Sequence, residues 1–141
     1  MVKIFQGRYT YNNNREFIFD GTHIYKGYQK YASDIIYTVK GDKIYKGRYD
    51  YDSNIVMTFD KNHIYQGRYK SNDKIRFTVD GNNIYQGRYN YATNIIYNFN
   101  GKHLFEGRYQ YANDVIFTTD DRIPMHVLIC ILMNPNNDFP W

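Results

Sequence analysis

The sequence predicts an all-β fold: a closed up-and-down antiparallel barrel of about twelve strands, with a C-terminal apolar helix. Three observations predict it. From Ile4 to about residue 122 the 141-residue chain repeats every 20 residues without an insertion, which gives six units. Each unit carries two runs rich in β-branched and aromatic residues, such as HIYQGRY and NIIYNF. After the last unit the pattern changes to an apolar run, IPMHVLICILM.

Two kinds of reversal separate the predicted strands. Asp-Gly or a variant of it stands at 20–21, 40–41, 60–61, 80–81 and 100–101, and this dipeptide is a hairpin signal. Segments such as YNYATN at 89–94 make the second reversal. Both connections are too short for a crossover, so successive strands pair antiparallel and form six hairpins. A sheet of this size would leave two exposed edges, and six equal units favour closure into a barrel.

The inward face of each strand depends on the turn, because a slip of one residue inverts every side chain. A two-residue turn would place Ile64 and Gln66 on the face of Phe77. A three-residue loop would place Tyr65 and Gly67 there instead. The first arrangement turns several Lys and Glu residues inward beside the arginines, and burial of unpaired charges is costly. We therefore expect Tyr and Gly to face inward and the charged residues to face outward.

The apolar run predicts a buried helix over residues 123–134. Pro124 suits a first helical turn, and Asn134-Pro135 supplies a stop. A helix that is apolar on every side is normally buried, and a twelve-stranded barrel needs a filler of this kind. We expect the helix to pass through the centre of the barrel; the alternatives are an extra strand or a helix that caps one end. The whole chain, 1–141, then forms one domain, with the repeats at 4–122 and a tail at 135–141.

The unit NIIYNFNGKHLFEGRYQY resembles the bacterial β-flower families, which repeat an IY-x-F-x-G…G-x-Y hairpin around an axis. Known members are usually four-fold, whereas this chain has six units. The plan of a barrel with a C-terminal helix is also similar to tubby-like domains, in which a closed barrel surrounds a hydrophobic helix. The β-flower resemblance implies a ring of hairpins and brings no activity with it.

Composition limits the function and the location. The net charge is +4 and the pI is near 9.0, enough for weak attraction to anions but not an indication of specific nucleic-acid binding. Cys130 is the single cysteine, so no disulfide forms within the chain. The repeat begins almost at the first residue without a signal peptide, and VLICILM is too short for a transmembrane segment. We therefore expect a cytoplasmic protein, and no motif indicates a cofactor.

Three columns of residues recur around the predicted ring. The glycine column indicates either close approach of a ligand or room for the central helix, and we favour the second reading. The arginine column could hold an anion, or each guanidinium could lie over a neighbouring ring. The loop tyrosines are expected at one rim, where they could bind a sugar or protein or cover the barrel end. The candidate ligand-binding residues are Arg8, Arg48, Arg68, Arg88, Arg108, Tyr11, Tyr31, Tyr51, Tyr91 and Tyr111.

The histidines and the cysteine do not indicate a metal site or a catalytic site. His23, His63 and His103 stand in alternate units, and three histidines can hold zinc, but positions spread around a wall are far apart, so we interpret them as turn-edge residues. His126 is expected to be a hydrogen-bonded core residue. It lies four residues before Cys130 on the predicted helix, and a thiol–imidazole pair would need access that a buried helix denies. We expect no metal site and no catalytic residue.

Two hypotheses about function follow from these patterns. The first is a non-enzymatic scaffold that acts by surface contact with a protein partner or a second copy of itself. The alternative is a binding module for anionic polymers, membrane head groups or glycans, which would use the arginine and tyrosine columns.

Overall fold

The computed structural model describes residues 1–133, and in this part of the chain twelve strands close into an antiparallel barrel around one helix. The predicted fold class is confirmed. The strands are β1 Val2–Gln6, β2 Arg15–Phe19, β3 His23–Lys26, β4 Ile35–Lys40, β5 Lys43–Lys46, β6 Ile55–Phe59, β7 His63–Gln66, β8 Ile75–Asp80, β9 Asn83–Gln86, β10 Ile95–Phe99, β11 His103–Glu106 and β12 Val115–Thr119, and the helix is α1 Met125–Leu132.

Each strand pairs with its neighbours in sequence, and β1 closes the ring against β12 with Ile4 opposite Thr119. Closure leaves none of these twelve strands with an edge free to pair with another chain. The barrel has two different ends. At the turn end, two or three residues connect the strands: two between Lys40 and Lys43, for example, and three between Phe59 and His63. At the loop end, the connections are longer; we call them the outer loops, and they span residues 7–14, 27–34, 47–54, 67–74, 87–94 and 107–114.

The inward face is the one that carries Ile64, so the expected register was wrong. Ile64 stands opposite both Phe59 and Phe77, and all three pack in the barrel core or against it. Tyr65 stands opposite Thr58 on the outer face. The expected free-energy cost of burying charged side chains does not arise. Gln66 and its equivalents are the last residues of their strands, so their side chains lie at the mouth of the barrel and not in its interior. Among those equivalents Lys26, Lys46 and Glu106 are exposed to solvent.

A second apolar layer lies outside the strands. Tyr65 points outward and is nevertheless only 5% exposed. Its hydroxyl donates a hydrogen bond to the Asp60 carboxylate over 2.8 Å. The aromatic side chains at the equivalent positions are buried as well, between the strand wall and the outer loops that fold back over it. This outer layer consists of Phe5, Tyr25, Tyr45, Tyr65, Tyr85 and Phe105.

The glycine column starts each outer loop. Gly67 follows β7 with φ of +79°, a left-handed conformation that other residues adopt at a cost. No atom lies within 4 Å of a Cβ built at this position. The glycine therefore serves the backbone turn, and the expectation that it makes room for the helix was wrong. The hydroxyl of Thr58 donates to the Gly67 carbonyl over 2.8 Å and fastens the loop to the wall.

The helix α1 runs inside the barrel, as predicted. Its buried residues, Val127–Ile131, belong to the same core as the inward side chains of the strands. Met125 and His126 lie near turn-end residues such as Gly41, and Met133 lies near Gln86 at the loop end. The helix begins later than expected, because Pro124 is extended and caps it. The predicted stop at Asn134-Pro135 lies outside the described residues.

Candidate binding surface

The arginine column and the exposed tyrosines lie together on the outer loops. Each arginine of the column stacks on the tyrosine that follows it, as the neighbouring-ring interpretation expected. Such cation–π contacts hold both side chains in place. The guanidinium carbon lies 5.0–5.2 Å from the ring centroid in the pairs Arg8–Tyr9, Arg48–Tyr49, Arg68–Tyr69, Arg88–Tyr89 and Arg108–Tyr109.

A second tyrosine extends the contact in four of the loops. Tyr9 and Tyr11 are nearly parallel, with centroids 5.2 Å apart and an angle of 18° between the rings. Parallel contacts of the same kind recur in the loops at 47–54 and 87–94, whereas the pair Tyr109–Tyr111 is tilted by 30°. We call each such set an Arg–Tyr–Tyr stack. The members are Arg8–Tyr9–Tyr11, Arg48–Tyr49–Tyr51, Arg88–Tyr89–Tyr91 and Arg108–Tyr109–Tyr111.

The last ring of each stack is open to solvent. Tyr11 is 61% exposed although one of its faces lies against Tyr9, so its opposite face must be free. Tyr51, Tyr91 and Tyr111 are exposed to almost the same extent. Each stack thus offers a flat aromatic surface that is held from behind by a second ring and a guanidinium.

The outer loops reach back along the wall to the turn end. In the loop at 87–94, Asn90 donates to the Asp80 carboxylate over 3.0 Å. In the loop at 47–54, Asp50 pairs with Lys40 at 2.6 Å. The candidate tyrosines follow these loop tips directly. They are therefore distributed around the outer wall of the barrel and do not converge on one pocket.

Two of the six loops depart from the pattern. In the second repeat, Tyr28 replaces the arginine, and Arg15 lies over its ring and donates to its carbonyl oxygen. Tyr31 in that loop is 63% exposed and has no ring partner among the described residues. In the fourth repeat Ser71 replaces the second tyrosine, so Arg68–Tyr69 stands alone. The three parallel stacks consequently occupy repeats one, three and five.

The turns between the strands of each hairpin are of two kinds, which also alternate from one repeat to the next. Asp60 accepts hydrogen bonds from the backbone N–H groups of Asn62 and His63, and Asp20 and Asn100 make the same contacts in their turns. The intervening glycines Gly41 and Gly81 have φ near 60°, against values near 100° at Gly21 and Gly101. A 40-residue period is thus superimposed on the 20-residue repeat. It places a histidine at alternate turn edges, as the sequence suggested.

Charge on the outer wall is partly compensated. Lys70 pairs with Asp42 at 2.9 Å, and its hydrogen bond holds the pKa of the Asp42 carboxyl below its usual value. Within residues 1–133, none of the five arginines of the column forms an ion pair with an acidic side chain. The positive charge of the stacks therefore remains available to a partner.

His126 and Cys130 do not form an accessible reactive pair. Cys130 has no exposed surface, and burial raises the pKa of its thiol. The His126 ring stacks on Phe59 with centroids 3.6 Å apart, and burial lowers the pKa of His126 to about 4. No hydrogen bond to the His126 side chain is present in the described part of the chain, so the expected hydrogen-bonded role was wrong. Cys130 is held as a buried, protonated thiol.

No metal centre was found in residues 1–133: the His, Cys, Asp and Glu side chains there form no group of three or more that could hold an ion. In the same part of the chain, no helix has both the length and the apolar character needed to cross a lipid bilayer.

Comparison with known proteins adds one match. The model of a family described as "6-fold beta flower protein" matches residues 4–131, which covers all six repeats and most of the helix. Comparisons with curated proteins and with solved structures found no match. The six hairpins, the closed ring and the family match agree, and the chain belongs to the six-fold β-flower family.

Proposed function

We propose that this protein is a non-enzymatic scaffold that binds a protein partner through the Arg–Tyr–Tyr stacks of its outer wall. The observation that carries the proposal is the open ring of each stack, which is about three-fifths exposed and supported from behind. A cytoplasmic location is part of the proposal, because the one cysteine is a free thiol.

Tyrosine and arginine suit a protein interface for physical reasons. Both are enriched among the residues that dominate binding energy at such interfaces. Tyrosine offers a large contact area with few rotatable bonds, and a ring that is already stacked loses little further freedom on binding. The Thr58 hydroxyl and its equivalents fix the loops that carry the rings. The stacks are therefore preorganised for contact.

The arrangement of the stacks favours a partner with repeated contacts. Stacks with parallel rings occupy alternate repeats of a closed six-fold ring, so they are related by a three-fold arrangement. A partner that engages two or three of them gains affinity through effective concentration, beyond the contribution of each contact.

The proposal can be tested by crosslinking followed by affinity measurement. A photoreactive residue at position 53, beside Tyr51, would capture the partner in cells that express the full chain. Binding of the purified partner would then be compared between the wild-type chain, the stack variant Tyr11→Ala/Tyr51→Ala/Tyr91→Ala, and the control Tyr31→Ala, whose ring is equally exposed but unstacked. We expect each lost stack to weaken binding about tenfold and the control to change it little. Equal affinities for the folded stack variant and the wild type would refute the proposal.

The unpaired guanidinium groups favour a second candidate, a binding module for anionic polymers, membrane head groups or glycans. Arginines without acidic partners attract phosphate and sulfate groups, and the open tyrosine rings suit sugar faces. Heparin is a suitable probe of the anionic version. Binding of an anion should weaken steeply as salt increases, so affinity that is indifferent to salt would exclude that version.

A further inference from the structure

The mouth of the barrel at the turn end is open on one side only. Six inward-facing residues surround it, one from each even-numbered strand from β2 to β12. Phe19, Phe99 and Thr119 are buried, whereas Val39, Phe59 and Val79 are partly exposed. The path of the chain explains why one group is buried and the other is partly exposed. Residues 120–124 lead from β12 into the barrel beside the buried group and place Ile123 in the core.

A cavity of about 540 Å³ lies at the open side, next to the first turn of the helix. Phe59, Ile64, Val79 and Met125 give it an apolar lining. Its size falls within the range of pockets that hold small molecules, and such pockets are mostly apolar with a few polar groups. Valine stands at position 79, where repeats one, three and five carry the larger phenylalanine.

The polar groups of the cavity are of two kinds. Asp42 and Lys70 pair with each other at the rim. Asp60 accepts a hydrogen bond from Tyr65 as well as from its own turn. In contrast, Lys61 makes no ion pair within residues 1–133, and the nitrogens of His126 accept or donate no hydrogen bond there. These two groups are the ones left for a ligand.

We propose that this cavity binds a small molecule that combines a flat apolar body with a carboxylate. The flat body would pack against the His126–Phe59 ring pair and Val79, and the carboxylate would meet the Lys61 ammonium and the imidazole N–H. Burial holds the pKa of His126 at about 4, so the ring is neutral at pH 7 and can donate one hydrogen bond and accept one. The site shares no residue with the Arg–Tyr–Tyr stacks, so variants of the cavity and variants of the stacks test the two proposals separately.

The test is a titration of the ¹⁵N-labelled full chain followed by NMR, with 1-naphthoate as the probe and the uncharged 1-naphthalenemethanol as its control. We expect saturable shifts of the backbone signals of Lys61, Val79 and His126, with about fivefold tighter binding of the carboxylate. Lys61→Gln should remove that preference while the neutral probe still binds. No saturable shift, or shifts confined to the loop end around Gln86, would overturn the proposal.

A filling variant provides an independent check with a matched control. Val79→Phe introduces the residue that already occupies the equivalent positions 19, 59 and 99. We therefore expect the barrel to accommodate a phenylalanine side chain at position 79. We expect it to abolish binding of both probes. Val39→Phe makes the same change at the equivalent position of the second repeat, whose side chain does not line the cavity, and binding should persist. Undiminished binding by a folded Val79→Phe variant would contradict the assignment, as would equal loss in both variants.

Discussion

At Gly67 the backbone requires a residue without a side chain for conformational reasons, since φ is +79° and a Cβ would meet no atom within 4 Å. We predict that Gly67→Ala lowers the free energy of unfolding by about 1 to 2 kcal/mol, the typical cost of a left-handed conformation. Gly67→Asn should cost less, because asparagine tolerates this region. Urea unfolding of both variants checks the prediction. An equal cost for the two substitutions would indicate a steric cause instead.

His126 should make stability depend on pH in a defined window. Its pKa lies at about 4 in the folded chain, against 6.5 when unperturbed, because the charged form is buried. Between these values the unfolded chain binds the proton and the folded chain does not, so stability falls as pH decreases from 6.5 to 4. The loss amounts to up to about 3 kcal/mol from this group. Below that window the effect of His126 levels off.

Replacement of His126 by Phe isolates this contribution, since it keeps a ring against Phe59 and removes the titration. His103, whose pKa burial also lowers, continues to titrate in both chains. The carboxyls of Asp42 and Asp60 line the same cavity, and folding lowers the pKa of both, so the stability that they contribute is lost as the pH falls through these lowered pKa values. Denaturant unfolding at pH 7 and pH 4.5 should show a smaller drop for His126→Phe. The same drop in both chains would contradict the prediction.

At the scale of the element, five of the six outer loops are each fastened to the wall by one polar side chain. Thr78 donates to the Gly87 carbonyl over 2.8 Å, and Thr38, Thr58, Asn98 and Thr118 make the equivalent contact in other repeats. Ile18 occupies this position on β2 and has no side-chain donor. The outer loop after β3, which this position would fasten, is also the loop without an Arg–Tyr pair. The hydrogen bond and the Arg–Tyr pair thus accompany each other around the ring, whereas the second tyrosine is absent from the loop that Thr58 fastens.

We predict that Thr78→Val destabilises the protein by about 1 to 2 kcal/mol, because it keeps the shape and leaves the partly buried Gly87 carbonyl without its donor. Hydrogen exchange of the Gly87 amide, which bonds to Arg76, should accelerate with it. Thr93→Val, on the exposed part of the same loop, is the control and should change stability by less than about 0.5 kcal/mol. If both variants behaved alike, the hydroxyl would have no fastening role.

At the scale of the whole molecule, the sequence was informative wherever the signal was local. The 20-residue period, the hairpin turns and the apolar run sufficed to predict the ring and its central helix. The inward face was not predictable, because it depends on one residue of turn length and on where Gln66 falls along its strand. The Arg–Tyr–Tyr stacks were missed as units, since they form only when the outer loops fold back. The YxY spacing of Tyr9 and Tyr11 was the available signal.

The contribution of the central helix to the stability of the whole molecule can be tested by deletion. Deletion of residues 123–141 would expose the inward ring of Ile4, Ile24 and their equivalents to water, with no side chains to fill the space. We predict that this variant unfolds or aggregates, as measured by circular dichroism and sedimentation. Leu128→Ala, a smaller change at a side chain with no exposed surface, should cost about 2 to 5 kcal/mol.

The control for the deletion is a chain that lacks only residues 134–141 and keeps every contact of α1 described above. It should retain the barrel and leave the Cys130 thiol unreactive toward labelling reagents until denaturant is added, since the thiol has no exposed surface. A deletion of 123–141 with unchanged thermal unfolding would show that the strands close without their filler. Rapid labelling of Cys130 in the shorter deletion would place the helix outside the barrel. Because the ring of hairpins and the helix bury each other's apolar surface, we expect their unfolding to be one cooperative transition.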